Sequence, residues 1–468
     1  MKYSNLFPYV TPGWLLHQFP QGGQVKLQRP PDDPSQRGIW EVTPLAIAAL
    51  LLCDGRRTLQ QVLTEISLRH EGQGFSAAES VAGFLVEAVR LGVLSFQDEP
   101  LPREITVKGS RKAYYPLHLA IELTDCCNLR CRHCYRGAGN ENSVFFPTEP
   151  LLRILDEMRG KGVHSLELSG GEPTMHPDFG VILDFSLRKF GAISILTNGT
   201  TRLADHHLPV LEEFKEKLMV QVDLDGCCAR EHDLLRAKEG AFDASVETIR
   251  TLASRGIRVR VAMVIHPENI QSIDKTYRLA KALGAKWFAA SPVIDLGRAS
   301  EDLFLTRDQL ELAIRCLDDL AEKDPLTITS ADELKRTAGK LGTNCGAGSR
   351  ALTLGPDGQM RPCFLVNKKL PAFKNILECP TDEALNSAPL MFFHSLQPPC
   401  PEVCGQCDYV PFCNGCVARP LIAWERATRQ NRNFVCRWNE ATGFGKRLGY
   451  AGTIPGAVPP PAAAPPSA

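Results

Sequence analysis

Apolar residues recur through the middle of the chain in two alternating patterns, short runs of strand length and longer stretches with helical spacing. Helical patterns include Leu151–Gly160, with Thr148 placed as cap, and Phe242–Ser254. The short runs predict six strands, at 117–123, 165–169, 192–197, 218–224, 258–266 and 286–291. This alternation predicts an α/β fold with a parallel sheet and right-handed crossovers, either a barrel or an open sheet. In both, the chemistry lies at the C-terminal ends of the strands.

The first hundred residues follow a different pattern. Helical spacing of apolar side chains predicts helices at 58–69 and 77–92, and the run 93–96 predicts a short strand. These elements suggest a small α+β domain of winged-helix type. Residues 97–113 are rich in charge and contain two prolines, which indicates a linker. The Pro- and Ala-rich tail from Ala451 predicts disorder.

Charge and hydropathy exclude two classes of partner. Lys plus Arg and Asp plus Glu both number 53, so the zero net charge argues against nucleic acid and an anionic membrane surface. The longest apolar stretch, Leu45–Cys53, is far shorter than the roughly 20 residues of a spanning helix. The N-terminus also lacks the basic segment followed by an apolar segment that is typical of a secretory signal. We therefore expect a cytoplasmic protein with no membrane partner.

The 17 cysteines of the chain are concentrated in a few segments, as metal ligands often are. The first predicted strand runs into a loop that carries Cys127, Cys131 and Cys134. Three thiolates at this spacing can hold a four-iron cluster, with one iron left open for a substrate or cofactor. A zinc loop is the alternative, with His133 as a nearby fourth ligand.

The loop, with the aromatic His133 before its last cysteine, resembles the radical S-adenosylmethionine superfamily. The ends of the later strands match too: Ser169-Gly170-Gly171-Glu172-Pro173 is similar to the GGEP segment of that family, and Thr197-Asn198-Gly199 follows the next strand. The resemblance implies a partial (β/α)6 barrel, a [4Fe-4S] cluster on the three cysteines, and cleavage of S-adenosyl-L-methionine to a 5′-deoxyadenosyl radical. The residues that it implies for cofactor binding are His133, Gly170, Gly171, Glu172, Pro173, Thr197, Asn198, Asp223, Asp225 and Arg236.

Three of these residues have specific roles by the same resemblance. Glu172 is expected to receive the methionine ammonium of the cofactor, and Arg236 to pair with its carboxylate. Asp223 stands where the family often places a ribose-binding serine, and a carboxylate can also accept from a ribose hydroxyl. The adjacent cysteines at 126, 227 and 228 are predicted to be bystanders.

Cysteines of the C-terminal region are again regularly spaced and resemble the SPASM extension, which binds two auxiliary [4Fe-4S] clusters. That resemblance assigns Cys404, Cys407, Cys413 and Cys436 to the distal cluster. It assigns Cys345, Cys363 and Cys416 to the cluster nearer the active site, with Cys379 and Cys400 as further candidates. Only two residues separate Cys413 from Cys416, where the family has three. A structural zinc region is the alternative.

Residues 37–97, with Gly38-Ile39-Trp40-Glu41-Val42 before the two helices, resemble the PqqD-like domain that binds leader peptides of ribosomally made substrates. Such domains add the leader as a strand to a sheet edge. The alternative is a winged-helix module that only packs on the barrel or binds DNA. The expected layout is a recognition domain at 1–100, a linker at 101–114, a radical barrel at 115–330, a SPASM domain at 331–445 and a disordered tail at 446–468.

Together the resemblances imply a maturase that modifies a ribosomally made peptide, fed by a reductant such as flavodoxin or ferredoxin. A sulfatase-type activity is not expected, because Phe364 follows Cys363 where those enzymes have an aspartate. The alternative function is a radical reaction on a small molecule such as a haem precursor. A further hypothesis is a non-enzymatic iron–sulfur carrier, but it does not explain why cofactor-binding motifs recur at the strand ends. Thioether formation, carbon–carbon crosslinking, epimerisation and decarboxylation all stay open.

Overall fold

The computed structural model divides into two compact units. It describes residues 3–447 except 21, 28–38, 70–73, 142–143, 202, 325–327, 330–345, 349–350, 367–372, 406, 408–412, 414 and 430–435. The first unit comprises Met1–Tyr115 with Asp156–Val163, and the second comprises Pro116–Leu155 with His164–Ala468. Cys345 and nearly all of the predicted tail, from residue 448, lie outside the described residues.

The first unit is an α+β fold with two small sheets. Its elements are β1 (Phe7–Val10), β2 (Trp14–Phe19), β3 (Gly22–Leu27), β4 (Ile39–Val42), α1 (Pro44–Leu52), α2 (Leu59–Arg69), α3 (Gly74–Arg90), β5 (Leu94–Gln97) and β6 (Thr106–Gly109). The order of the larger sheet is β4-β3-β2-β6, and β1 pairs with β5. Trp14, Leu16 and Val25 of this sheet share one buried core with the three helices.

Two features of this unit differ from the sequence-based expectation. Strands β1, β2 and β3 lie before residue 37, where no strand was predicted, because short strands interrupted by turns leave too few residues to show a period of two. Strand β6 lies inside the predicted linker and pairs in parallel with β2. An edge strand of four residues in a charged segment gives little apolar signal.

The second unit contains the predicted parallel sheet. The helices and strands from residue 116 to 323, of which the end of α4 from Asp156 belongs to the first unit, are β7 (His118–Glu122), α4 (Thr148–Gly160), β8 (Ser165–Ser169), α5 (Phe179–Lys189), β9 (Ala192–Thr197), α6 (Leu203–Glu213), β10 (Leu218–Asp223), α7 (Ala229–Arg236), α8 (Ala241–Ser254), β11 (Arg258–Ile265), α9 (Ile273–Ala282), β12 (Trp287–Pro292) and α10 (Arg307–Lys323). All six predicted strands are confirmed. They lie side by side in chain order and pair in parallel, as a (β/α)6 partial barrel requires.

Successive strands in chain order, joined by right-handed crossovers, carry their helices on one face of the sheet. Alternate residues such as Leu166, Leu168, Val220 and Val259 are fully buried and point to this face. The residues between them point to the opposite face, which we call the interior face. In barrels of parallel strands the active site lies where this face meets the C-terminal ends of the strands.

The same sheet continues into the C-terminal region. Strand β13 (Ile328–Thr329) pairs with β12, β14 (Ala351–Leu354) pairs in parallel with β7, and β15 (Met360–Arg361) pairs antiparallel with β14. Short helices follow: α11 (Thr381–Leu385), α12 (Ala388–Ser395), α13 (Pro401–Cys404), α14 (Arg419–Arg429), α15 (Arg437–Thr442) and α16 (Phe444–Arg447). Within the described parts of the chain, none of the helices combines the length and apolar character needed to cross a bilayer.

Candidate functional site

The loop that follows β7 brings its three predicted cluster cysteines together. Cys127 and Cys131 are buried, Cys134 is half-buried, and the three pack with Leu129 and Ala138. The Leu129 amide donates to the Cys127 sulfur at 3.4 Å, and the Cys134 amide to the carbonyl of Cys131 at 3.3 Å. These bonds fold the loop back so that its thiols face one region.

The environment of these thiols suits a bound metal better than free thiolates. Burial, with a smaller contribution from the charges of Glu172, Cys131 and Cys134, raises the pKa of Cys127 to about 12, although the hydrogen bond from the Leu129 amide opposes the shift. Burial also raises the pKa of Cys131, although the positive charge of Arg236 opposes this shift. A cationic metal reverses this preference and makes thiolates stable at neutral pH.

Spacing of the sulfur atoms favours a cluster over a single ion. Among the described residues, three ligand atoms approach within 4.8 Å of one another only at Cys227, Cys228 and Glu231. One zinc ion with Zn–S bonds of about 2.3 Å needs sulfurs about 4 Å apart. In this arrangement the three sulfurs of the β7 loop are not gathered to the spacing of one zinc ion, and a multi-iron cluster is the larger group that three such thiolates can hold.

Gly170 and Gly171, which follow β8, allow their segment to lie against the cluster loop. The Gly171 amide donates to the Thr124 carbonyl at 2.6 Å, and the Glu172 amide to the Cys126 carbonyl at 2.8 Å. A Cβ atom on Gly171 would lie 2.2 Å from the Cys126 oxygen, so a side chain cannot be accommodated. The two glycines thus bring backbone against backbone here, in addition to the cofactor binding that the resemblance implies for them.

The buried carboxylate of Glu172 joins the ends of β8 and β9. It accepts from the hydroxyls of Thr174 at 2.6 Å and Thr197 at 2.9 Å, and from the amide of Asn198 at 2.8 Å. Burial raises the pKa of this carboxyl, and the hydrogen bonds oppose that shift. Both oxygens have protein donors, so the role as a methionine ammonium partner stays a prediction beside an evident positioning role.

Asn198 carries this connection on to the cluster loop. Its side-chain amide donates to Asn128 at 2.9 Å and lies 3.8 Å from the Cys127 sulfur. Asn128 in turn donates to the Thr200 hydroxyl at 2.8 Å. Thr197-Asn198-Gly199 therefore contacts the loop through a residue, Asn128, that the motif comparison did not single out.

Arg236 on α7 lies between two carboxylates. Its Nε donates to Asp225 at 2.6 Å and its Nη1 to Asp223 at 3.1 Å, and Nη1 lies 3.8 Å from the Cys131 sulfur. Burial opposes ionisation of Asp225, but Arg236 outweighs it and holds the pKa of that carboxyl below its usual range. For Asp223 burial prevails and raises the pKa.

Several buried polar atoms around this arginine have no hydrogen-bond partner in the described part of the chain: Arg236 Nη2, His133 Nδ1, His232 Nε2 and both ring nitrogens of His266. Burial lowers the pKa of His133 to about 4, so its ring is neutral. Unpaired buried polar groups are costly. Their concentration beside the cluster loop fits a polar, zwitterionic cofactor such as S-adenosylmethionine. His232 lies on α7 four residues before Arg236, and His266 directly follows β11; neither was predicted from the sequence to contact the cofactor.

Contacts also join the β7 loop to the C-terminal hairpin. The Glu122 carboxylate accepts from Arg136, two residues after Cys134, at 2.8 Å, and from Arg361, two residues before Cys363. Their neighbours Tyr135 and Phe364 meet edge to face with ring centroids 5.9 Å apart. The residues that flank Cys134 and Cys363 are thus held together by a buried ion-pair network and an aromatic contact.

Four predicted ligands of the distal auxiliary cluster are brought together by the structure. Cys404 and Cys413 are buried, and Cys407 and Cys436 are half-buried. Burial raises the pKa of Cys413, Cys436 and Cys404, and charges on the neighbouring cysteines of the same set raise each further. No three of these sulfurs meet the 4.8 Å spacing, which again favours a cluster over zinc.

The nearer auxiliary site is described only in part. Cys416 lies close to Cys413, and Cys363 lies close to Arg361, while Cys345 is outside the described residues. Of the further candidates, Cys400 lies beside Cys404, whereas the Cys379 thiol donates to the Asn375 carbonyl at 3.4 Å.

This placement predicts that Cys379→Ala keeps every auxiliary cluster, because the electrostatic neighbours of its thiol are Glu383, Lys374 and Glu378. The measurement is iron content together with the electron paramagnetic resonance spectrum of the reduced protein. Cys400→Ala is the matched comparison. Loss of an auxiliary signal in Cys379→Ala would make this cysteine a ligand after all.

Fold and site together define an iron–sulfur enzyme built on a parallel partial barrel. The profile of the radical SAM superfamily matches residues 121–280, and that of the SPASM iron-sulfur cluster-binding domain matches residues 345–408. The protein is therefore a radical S-adenosylmethionine enzyme with a C-terminal SPASM domain. Its cofactors are S-adenosylmethionine, a [4Fe-4S] cluster and auxiliary iron–sulfur clusters.

Known proteins resemble this chain over different lengths. The antilisterial bacteriocin subtilosin biosynthesis protein AlbA of Bacillus subtilis is 29% identical over 94% of this chain and 97% of its own. The AdoMet-dependent heme synthase of Methanosarcina barkeri is 29% identical over 66% of this chain and 93% of its own. Streptococcus suis SuiB, solved with bound S-adenosylmethionine, shares the fold at a TM-score of 0.59 and 15% identity, over 88% of this chain and 96% of its own.

Proposed function

We propose that this enzyme is a maturase that modifies a ribosomally made peptide by radical chemistry. The observation that carries the proposal is the match to AlbA, a bacteriocin biosynthesis protein, over 94% of this chain and 97% of the relative. A match of that extent must include most of the first hundred residues as well as the barrel and the SPASM domain. The likeness thus extends over nearly the whole length of both proteins.

In this proposal Cys127, Cys131 and Cys134 hold the radical cluster, and the unpaired nitrogens of Arg236 and His133 face the cofactor. When bound, the cluster and S-adenosylmethionine supply a 5′-deoxyadenosyl radical that takes a hydrogen atom from the substrate. Glu172 and Asn198 keep the strand ends and the cluster loop in register. A flavodoxin or ferredoxin in the cytoplasm supplies electrons.

The first unit is proposed to bind the leader of the peptide. Strand β4 forms one edge of the larger sheet, and on its outer side it pairs with no strand of the described residues. At the other edge, the Gly109 amide at the end of β6 donates to the Lys161 carbonyl at 2.6 Å. The β4 edge is therefore the better place for an added strand. Ordering of the leader offsets part of the gain, so we expect moderate affinity.

The direct test is incubation of the reduced, cluster-reconstituted enzyme and S-adenosylmethionine with a short peptide encoded beside its gene, followed by mass spectrometry. A change in peptide mass that requires the cofactor would support the proposal. Formation of 5′-deoxyadenosine with no change in any such peptide would contradict it.

A haem-precursor reaction is the second candidate, favoured by the match to heme synthase. That relative leaves about a third of this chain without a counterpart, which is why we place it second. Turnover of an iron tetrapyrrole precursor, with no peptide turnover, would reverse the order.

Removal of residues 1–115 is predicted to reduce peptide turnover at low peptide concentration about tenfold or more, while 5′-deoxyadenosine still forms. The cut follows Tyr115 because β6 belongs to the N-terminal sheet. Loss of main-chain hydrogen bonds and side-chain pockets for the leader would raise KM, and a tenfold change corresponds to about 1.4 kcal/mol. Turnover as fast as that of the full chain at every peptide concentration would exclude the recognition role. Iron content and a melting curve serve as controls for folding.

A further inference from the structure

The interior face of the barrel carries charged side chains that the cofactor motifs do not use. Glu167 in β8 lies between Leu166 and Leu168, which point to the helices, so its side chain is on the interior face. The register passes from Glu167 through Ser194 and Met219 to Arg258. Arg260 stands two residues farther along β11, so it shares this face.

Arg260 has only part of its hydrogen-bonding capacity satisfied. Its Nη2 donates to Gln221 Oε1 at 2.5 Å, and Gln221 is the cross-strand partner of Arg260 in the register. Its Nε is buried and has no acceptor among the described residues. Burial lowers the pKa of Arg260, while Glu167 and Asp223 oppose that shift.

Glu167 is the complementary group. Within the described part of the chain its carboxylate has no hydrogen-bond donor and forms no ion pair, although Arg260 lies near enough to act on it. Burial raises the pKa of Glu167, and the Arg260 charge counteracts this. A carboxylate and a guanidinium thus share the interior face without a bond between them.

The pair lies on the side of the barrel where the chemistry occurs. Glu167 stands two residues before Ser169, where the Gly170-Gly171 segment begins. Tyr135, which directly follows Cys134, has Glu167 and Asp223 among its electrostatic neighbours. A group bound between Glu167 and Arg260 would therefore lie next to the residues around the cluster.

We propose that Glu167 and Arg260 form a substrate subsite that binds one main-chain peptide group, with its N–H donated to Glu167 and its carbonyl accepting from Arg260. The proposal rests on the proposed function and specifies how the peptide enters the barrel. In a trans peptide the N–H and C=O point in opposite directions, so one group placed between an acceptor and a donor satisfies both.

Other ligand chemistries satisfy this pair less well. A substrate carboxylate would pair with Arg260 but be repelled by Glu167 and by Asp223 beside it. An ammonium group would suit Glu167 but leave the Arg260 N–H without an acceptor. A main-chain amide meets both needs and is independent of the side chain, so the subsite would fix the peptide backbone while leaving the reacting residue free to vary.

The test is a double-mutant cycle, in which binding affinity is measured for changes in the enzyme, in the peptide and in both together. The probe is the fluorescently labelled synthetic peptide that the full-length, reconstituted enzyme modifies, made as a series with one backbone N-methyl group at each successive position of the modified segment. N-methylation removes one N–H donor. Dissociation constants are measured by anisotropy for the unsubstituted enzyme, Glu167→Ala and Arg260→Met. Glu322→Ala, an exposed carboxylate on α10, is the matched control.

At one position, N-methylation should weaken binding to the unsubstituted enzyme and to Glu322→Ala about tenfold, the effect of a charged hydrogen bond. In Glu167→Ala the same methyl group should cost about twofold or less, because the acceptor is already gone. Arg260→Met should weaken binding of the unmethylated peptide by a similar factor. Should Glu167→Ala lose iron or fail to fold, Glu167→Gln replaces it. In Glu167→Gln the loss of affinity on N-methylation should lie between about twofold and about tenfold.

Equal losses on N-methylation in the unsubstituted enzyme and in the Glu167 variant, at every position, would overturn the subsite. So would a coupling seen only when an Asn or Gln side chain of the peptide is replaced by Ala, since the amide bound would then be a side chain. If the unsubstituted enzyme neither binds nor modifies any peptide, the proposed function fails first and the subsite falls with it, a result distinct from both.

Discussion

Replacement of Cys127, Cys131 and Cys134 together by Ala is expected to abolish formation of 5′-deoxyadenosine while iron remains in the C-terminal region. The three thiols pack together after β7, on the loop that contacts the Gly170-Gly171 segment and, through Asn198, the end of β9. Cys404, Cys407, Cys413 and Cys436 form a separate group after residue 400. Loss of the first set therefore removes the cofactor-cleaving cluster alone.

The measurement is 5′-deoxyadenosine by chromatography after reduction, with iron and sulfide analysis of the same sample. Cys126→Ala is the matched control, because Cys126 is also buried in this loop but makes its described contact to Glu172 through the main-chain carbonyl. It should keep iron and cofactor cleavage. Undiminished cleavage by the triple variant would end the assignment of the cluster to this loop.

The strands of the barrel could be predicted because each is a short apolar run whose alternate residues are buried against helices. Leu166 and Leu168 in β8 are fully buried, and the run ends at the glycine that begins the next motif. The N-terminal strands are not evident from the sequence because β1 to β3 are short and follow one another within 21 residues of chain, from Phe7 to Leu27. Strand β14 could not be foreseen as a neighbour of β7, since such pairing joins residues more than 200 positions apart.

Local motifs predict that the cysteines and the strand-end segments lie at one edge of the sheet, because each motif begins where its strand ends, and the structure has contacts between them. The hydrogen-bond partners of these residues could not be predicted from the motifs. The resemblance pairs Arg236 with the cofactor, but two carboxylates, the buried Asp225 and the half-buried Asp223, already hold its guanidinium. Which charges neutralise one another depends on how the chain after β10 brings Arg236 of α7 back to Asp223 and Asp225, and no spacing rule encodes it. The cofactor role of Arg236 stays a prediction, supported by its buried Nη2, which has no hydrogen-bond partner among the described residues.

The second large effect is expected from Glu172→Ala, which should weaken S-adenosylmethionine binding about a hundredfold without loss of the clusters. Two hydroxyls and one backbone amide lose a charged acceptor, at distances of 2.6 to 2.9 Å. Hydrogen bonds to a buried charge contribute about 1.5 to 3 kcal/mol each, and a loss of about 3 kcal/mol in binding free energy corresponds to roughly a hundredfold. Part of the free energy of these hydrogen bonds stabilises the folded protein, so Glu172→Ala should also lower the melting temperature.

Variants of the neighbours separate positioning by Glu172 from direct contact with the cofactor. Thr174→Val removes one donor to the carboxylate and leaves the charge in place, so it should reduce affinity only a few fold if Glu172 binds the methionine ammonium. Glu172→Gln keeps the shape but turns an amide donor toward at least one of the groups that now donate to the carboxylate, so it should behave like Glu172→Ala if positioning dominates. Calorimetric titration with S-adenosylmethionine on cluster-reconstituted protein measures all three variants. Unchanged affinity in both Glu172 variants would show that neither the ammonium contact nor the connection between β8 and β9 supports the cofactor.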